Sequence, residues 1–166
     1  MSDTERAGAH PVARPVIRPG FAIDPEKCTE CERCMAACAL VKSGKIRLRE
    51  ARITIERRWP ETPLLHVCRF DGCPGQPCIE SCPVEAIANR DGWVLIDREA
   101  CNGCAACVEA CSYQAIRLDE EERAFKCDYC GGSPACIPEC ATFALKAASG
   151  ESGVSGPAAS GAGGAQ

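Results

Sequence analysis

Aromatic residues are scarce in this sequence: two Trp, two Tyr and four Phe among 166 residues. So few make a large hydrophobic core hard to build, and something else must help hold the chain together. There are only two histidines. No glycine-rich phosphate loop and no nucleophile–base motif is present, so nothing reads as a catalytic site. No stretch approaches the roughly 18 apolar residues that a membrane span needs. Residues 1–20 have no apolar centre between a basic start and a cleavage site, so they do not read as a secretory signal. A cytoplasmic location is expected on that ground.

Cysteine is what the sequence does have, sixteen of 166 residues. In a short secreted chain this would suggest a disulfide scaffold. Without an export signal, so many thiols point instead to metal binding in a reducing compartment. Metal–thiolate bonds stabilise folds too small to pack themselves.

The cysteines fall in four blocks, at 28–38, 68–82, 101–111 and 127–140, an internal repeat that decides the architecture. The first (Cys28, Cys31, Cys34, Cys38) and the third (Cys101, Cys104, Cys107, Cys111) have the spacing C-x2-C-x2-C-x3-C. That is the spacing of bacterial [4Fe–4S] sites. Three cysteines at intervals of three wrap a loop around one cubane. The fourth is expected to start a helix that points away, so that its sulfur ligates a different cluster. The second block (Cys68, Cys73, Cys78, Cys82) and the fourth (Cys127, Cys130, Cys136, Cys140) keep the terminal C-x3-C and stretch the loop before it. Sixteen thiolates are the number that four cubanes need, and no [3Fe–4S] centre is expected.

Four structural zinc sites would use as many cysteines. Zinc sites usually come as separated C-x2-C knuckles, not as three cysteines within seven residues plus a fourth. A C-x2-C redox motif would need one pair, not four quartets. The formal charge of −4 falls to about −12 once four +2 cores sit on sixteen thiolates. Such a charge argues against nucleic acid or an anionic membrane as partner.

Residues 1–20 read as a flexible arm, 21–146 as the cluster-binding domain and 147–166 as a Gly/Ala/Ser-rich tail. Between the blocks, 45–48, 52–56 and 93–96 read as strands, with Asp91-Gly92 as a turn before the last. Segment 116–118 is expected to pair with 93–96. Short helices are expected over 35–41 and 108–111.

Several segments carry a family resemblance: Asp24-Pro-Glu-Lys-Cys28-Thr-Glu-Cys31-Glu-Arg-Cys34, Cys78-Ile-Glu-Ser-Cys82-Pro83, Asp91-Gly-Trp-Val-Leu-Ile-Asp97 before Cys101-Asn-Gly-Cys104, and Lys126-Cys127-Asp128-Tyr129-Cys130. Together, over roughly residues 21–147, they resemble the four-cluster ferredoxin-type electron-transfer subunits. Such subunits accompany molybdenum or tungsten oxidoreductases, among them dimethyl sulfoxide reductase and aldehyde ferredoxin oxidoreductase, some hydrogenases and carbon monoxide dehydrogenase. The resemblance implies that the motifs nest, first with fourth and second with third. One cluster then takes Cys28, Cys31, Cys34 and Cys140, and its partner Cys127, Cys130, Cys136 and Cys38. A third takes Cys68, Cys73, Cys78 and Cys111, and the last Cys101, Cys104, Cys107 and Cys82. Sequential pairing is the rival, and spacing alone does not exclude it. The family's motifs commonly end in Cys-Pro, as only Cys82-Pro83 does here. Ala39, Ser112 and Ala141 replace the other prolines, and their N–H groups are candidate donors to sulfur.

Outside the motifs, His66 precedes Cys68 but is surplus to the ligand count, so a structural role is expected. Segment 42–58 carries seven Lys or Arg against two Glu. It reads as a solvated face that offsets cluster charge, or as a docking surface for an acidic partner. Residues 119–122 form an acidic turn.

The expected fold is α+β: two ferredoxin-like units of short strands and helices wrapped around four iron–sulfur clusters. The expected function is one-electron relay, without catalysis, to or from a larger redox enzyme. A tungsten or molybdenum aldehyde-type oxidoreductase and other electron carriers are the expected partners. The alternatives are a free polyferredoxin and a zinc-stapled interaction module. The basic segment and the acidic turn also suggest head-to-tail self-association.

Overall fold

The structure is a computed structural model and describes residues 19–148. The expected arm and tail lie outside the described residues, apart from their inner ends. The chain folds as small α+β architecture with four two-stranded antiparallel sheets among the described residues. In chain order the elements are β1 (Phe21–Ile23), α1 (Arg33–Ser43), β2 (Thr54–Glu56), β3 (Leu64–His66), α2 (Pro77–Glu80), β4 (Ile87–Arg90), β5 (Trp93–Ile96), α3 (Ala106–Ala110), β6 (Arg117–Leu118), β7 (Ala124–Phe125) and β8 (Leu145–Ala147).

Strand β1 pairs with β8, bringing the ends of the described chain together in the register Phe21–Ala147 to Ile23–Leu145. The ladder continues where Ala148 N–H donates to the Gly20 carbonyl at 3.0 Å. The β1–β8 ladder thus includes Ala147 and Ala148. Strand β2 pairs with β3, and β4 pairs with β5 across the Asp91-Gly92 turn. Asp91 and Gly92 both take positive φ there, 53° and 88°, as a tight hairpin demands.

Two expectations need correction. Segment 45–48 is not a strand: its last residue opens a 3₁₀ turn over Leu48–Glu50. Leu48 packs against the core, but Ile46 is exposed, so the alternation has no buried face to hold a strand. Segment 116–118 does not pair with 93–96. Its strand β6 pairs with β7, while the other edge of the 87–96 hairpin stays unpaired in sheet terms. The nearer partner across a short turn wins because closing a short loop costs less entropy.

There are two interior cores. One gathers Phe21, Met35, Ile53, Val67, Phe70, Tyr129 and Leu145 with Cys34, Cys38, Cys127 and Cys136. The other gathers Ile87, Val94, Ile116 and Ala124 with Cys78 and Cys107. Four of the scarce aromatics are concentrated together. Tyr129 lies 5.0 Å from Phe21, 5.9 Å from Phe70 and 6.3 Å from Trp93, each edge to face. Such pairs add to the area they bury.

Candidate metal centres

Backbone conformation aims the cysteines. The residue two before the third cysteine is left-handed in three of the motifs: Glu32 at φ 59°, Gln76 at 44° and Ala105 at 62°. Each starts a helix one residue ahead of Cys34, Cys78 or Cys107. The fourth cysteine does not begin a helix, contrary to expectation. Cys38 lies inside α1, and Cys111 caps the end of α3. In these three motifs the chain thus enters a helix at the third cysteine, and the fourth lies within that helix or just past its end.

A second repeated device follows the fourth cysteine. Glu85, Gln114 and Phe143, each three residues on, are left-handed at φ 51°, 48° and 57°. Each donates its N–H to the carbonyl of that cysteine, at 3.2, 2.9 and 3.1 Å. The reversal then presents a further N–H to the sulfur: Ala86 to Cys82 Sγ at 3.2 Å, Ala115 to Cys111 Sγ at 3.3 Å and Leu145 to Cys140 Sγ at 3.4 Å. In the first motif α1 continues past Cys38, so no local reversal exists. Arg52 N–H, from the segment packed alongside, reaches Cys38 Sγ at 3.1 Å instead. The donors are therefore not the residues standing in for proline. Ala124 and Tyr129 N–H add bonds to Cys101 and Cys127 Sγ, at 3.5 and 3.3 Å.

None of the sixteen cysteines is in a disulfide. Their electrostatic contacts sort them into groups. Burial pushes the Cys34 thiol up to about 11, with Cys140, Cys28 and Cys31 adding to the rise. Burial likewise raises Cys78 to about 11, with Cys68, Cys111 and Cys73 among its neighbours. It raises Cys107, whose neighbours include Cys101, Cys82 and Cys104. It raises Cys127 to about 12, beside Cys38, and raises Cys136, beside Cys127, Cys38 and Cys130. Three of these groups line small hollows: Cys82 with Cys101, Cys104 and Cys107; Cys38 with Cys127, Cys130 and Cys136; and Cys111 with Cys68, Cys73 and Cys78. Among the described residues no three ligating side chains converge tightly enough for a single metal ion. The donor set suits a larger thiolate-bound group, and thiols this buried must lose protons to bind it.

Electrostatic influence also runs between groups: Cys34 adds to the rise of the Cys136 thiol, and Cys68 to that of Cys127. At the two extremes Cys31 and Cys104 are exposed.

The remaining residues of interest find structural work. His66 Nε2 meets Glu56 at 2.9 Å and Nδ1 meets the Tyr113 carbonyl at 3.1 Å, tying β3 to β2 and to the third motif. The basic segment is largely paired within the chain. Lys42 and Arg52 both reach Asp128 at 2.7 Å, Arg49 reaches Glu120 at 2.9 Å, and Arg57 reaches Glu32 at 2.8 Å. Burial works against the Asp128 charge, but Lys42 and Arg52 outweigh it and hold that carboxyl below its ordinary value. Between the basic segment and the acidic turn lies a groove of about 630 Å³ with no cysteine in its wall. Lys126 is a residue that sequence reasoning gave no role of its own. Its only signal there was its place beside the fourth motif.

Residues 64–149 match the 4Fe-4S dicluster domain family, more than half of the chain. The chain belongs to that family. It is of the ferredoxin type, in a family defined by [4Fe–4S] clusters. It is 36% identical over 90 residues to an Archaeoglobus fulgidus protein named as a tetrathionate reductase subunit, covering 52% of this chain and 42% of that protein. It is 33% identical over 84 residues to an uncharacterized ferredoxin of Methanocaldococcus jannaschii, covering 51% and 47%. Its identity to a component of hydrogenase-4 from Escherichia coli is 32% over 81 residues, covering 49% and 38%. The chain thus matches less than half the length of these curated relatives. No helix among the described residues is long and apolar enough to cross a membrane.

Proposed function

We propose that this chain relays single electrons through four [4Fe–4S] clusters to or from a larger redox enzyme. The observation that carries the reading is the sorting of sixteen thiols into four groups, each of three cysteines from one motif and one from another. The ligand sets follow: Cys28/Cys31/Cys34/Cys140, Cys127/Cys130/Cys136/Cys38, Cys68/Cys73/Cys78/Cys111 and Cys101/Cys104/Cys107/Cys82. The neighbour relations support nesting over sequential pairing, because Cys140 raises the Cys28 and Cys34 thiols. The two interior cores, one per nested pair, support two ferredoxin-like units.

Each cluster, when bound, takes up and gives back one electron. The protein's part is to order the sites and stabilise the added charge. The electrostatic influence of Cys34 on Cys136 and of Cys68 on Cys127, with Cys78 and Cys107 in one core, favours the linear order Cys28 set, Cys127 set, Cys68 set, Cys101 set. Exposed Cys31 and Cys104 put both ends of that wire within reach of partners. N–H groups aimed at sulfur stabilise the reduced state, and burial opposes it.

The partner is a catalytic subunit. Relatives named as reductase and hydrogenase components support this class, and a tungsten or molybdenum aldehyde-type enzyme is one member of it. A free polyferredoxin is the second reading, favoured by the relative named ferredoxin. Zinc is disfavoured by the absence of a single-ion site among the described residues. Head-to-tail association draws no support from the basic segment and the acidic turn, since Arg49 and Glu120 already pair within one chain. The location we propose is cytoplasmic.

Single Cys→Ser variants test the ligand sets by electron paramagnetic resonance. Cys28→Ser and Cys140→Ser should alter the same cluster signal. If Cys28→Ser and Cys82→Ser share a signal instead, pairing is sequential. Co-purification with a large subunit separates the relay from the free carrier.

A further inference from the structure

Lys126 is the one charged side chain that is buried among the described residues, at 5% exposure. It stands where the second and fourth motifs meet. Its Nζ lies 3.4 Å from Cys68 Sγ and donates to the Cys127 carbonyl at 3.1 Å. The ammonium sits 4.7 Å from the centre of the Phe70 ring, which is itself fully buried. No carboxylate is among these partners. A buried ammonium is costly unless it is compensated, and here the compensation comes from sulfur, a carbonyl and a ring face.

We propose that Lys126 sets the reduction potential in the middle of the wire: its charge makes the cluster on Cys68, Cys73, Cys78 and Cys111 easier to reduce, and to a lesser degree the cluster on Cys38, Cys127, Cys130 and Cys136. This rests on the four-cluster reading above. Reduction adds one electron to a core, from +2 to +1, with no bond or proton moved. A fixed positive charge against a ligand sulfur favours the more negative state, and burial leaves it unscreened by salt. The hollows differ accordingly. Arg69 and Lys126 line the Cys68 hollow. Lys42 and Arg52 line the Cys127 hollow, but Asp128 is there to offset them. No charged side chain lines the Cys101 hollow. On this comparison the centre of the wire is easier to reduce than its Cys101 end.

A purely structural lysine would secure the same contacts without moving a potential, so potentials are the readout. The full chain is purified without oxygen as wild type, Lys126→Gln, Lys126→Met and Lys126→Arg, and iron and sulfide are counted first. Dithionite titration is then followed by electron paramagnetic resonance. In the Gln and Met variants one cluster should become at least tenfold harder to reduce, 59 mV for a one-electron couple. A second should shift less, and the other two should hold. The Arg variant should stay within threefold of wild type. Four unchanged potentials in an iron-replete Gln or Met variant would overturn the proposal. Should those variants lose iron, pulsed resonance on reduced wild type carrying ¹⁵N-lysine decides: a lysine coupling that Lys126→Arg removes is expected, and none in wild type overturns the proposal. Wild type without iron and sulfide would instead defeat the four-cluster reading itself.

Discussion

Single residues carry much of the ligand geometry. Gly103, between Cys101 and Cys104, has φ 75°, and a Cβ there would stand 2.4 Å from the Glu122 carbonyl oxygen. Backbone lies on both sides, so neither can yield cheaply. Gly103→Ala should destabilise the fold by about 1–3 kcal/mol, and iron analysis should find about a quarter lost, one cluster of four. Full iron with unchanged melting would contradict this. Asp128 matters in another way, as the shared partner of Lys42 and Arg52. Asp128→Asn leaves two half-buried cations without their anion. The expected cost is about 1–2 kcal/mol, between the values for exposed and buried pairs, and chemical denaturation measures it. The cysteine positions were plain in the sequence, but the donors to their sulfurs were not. Ala86, Ala115 and Leu145 reach sulfur only because left-handed residues precede the approach. Glu, Gln and Phe at such positions give no sign of it, since glycine is the residue that ordinarily marks positive φ.

At the scale of elements, the β1–β8 pair closes the core that holds Cys34, Cys38, Cys127 and Cys136. Leu145 is almost fully buried at 1% exposure, and its N–H also reaches Cys140 Sγ. Leu145→Ala should cost about 2–5 kcal/mol. Thermal unfolding should show it, and the cluster on Cys28, Cys31, Cys34 and Cys140 should be the first lost on warming. Loss beginning at the Cys101 set would contradict the assignment of β8 to the first unit. Helix α1, the 93–96 strand and its turn were legible because apolar pattern and turn residues agreed. The β1–β8 pair was not, because more than a hundred residues separate strands of three residues each. Strand 117–118 was legible as a strand but not in its partner: two residues carry too little pattern to specify register. Segment 45–48 alternates, yet Ile46 has nothing to pack against.

For the whole molecule, two cores with few aromatics between them hold four thiol groups in a row. The number of cysteine blocks was readable from spacing alone. The pairing of motifs was not, since spacing fits nested and sequential arrangements equally; the nesting we propose rests on which thiols raise one another. Burial raises many of these thiols, so without metal the chain would keep buried, protonated groups where the proposed clusters bind. Removal of iron by a chelator should therefore unfold the domain and not merely silence it. Circular dichroism would show this as loss of structure together with loss of visible absorbance, and a chain that stays folded after complete iron removal would contradict it.

The central claim is four clusters on sixteen cysteines, and the most direct measurement is iron and acid-labile sulfide per chain on protein purified without oxygen. The account predicts about sixteen of each, four irons and four sulfides per cubane. Zinc in place of iron, with no sulfide, would contradict it.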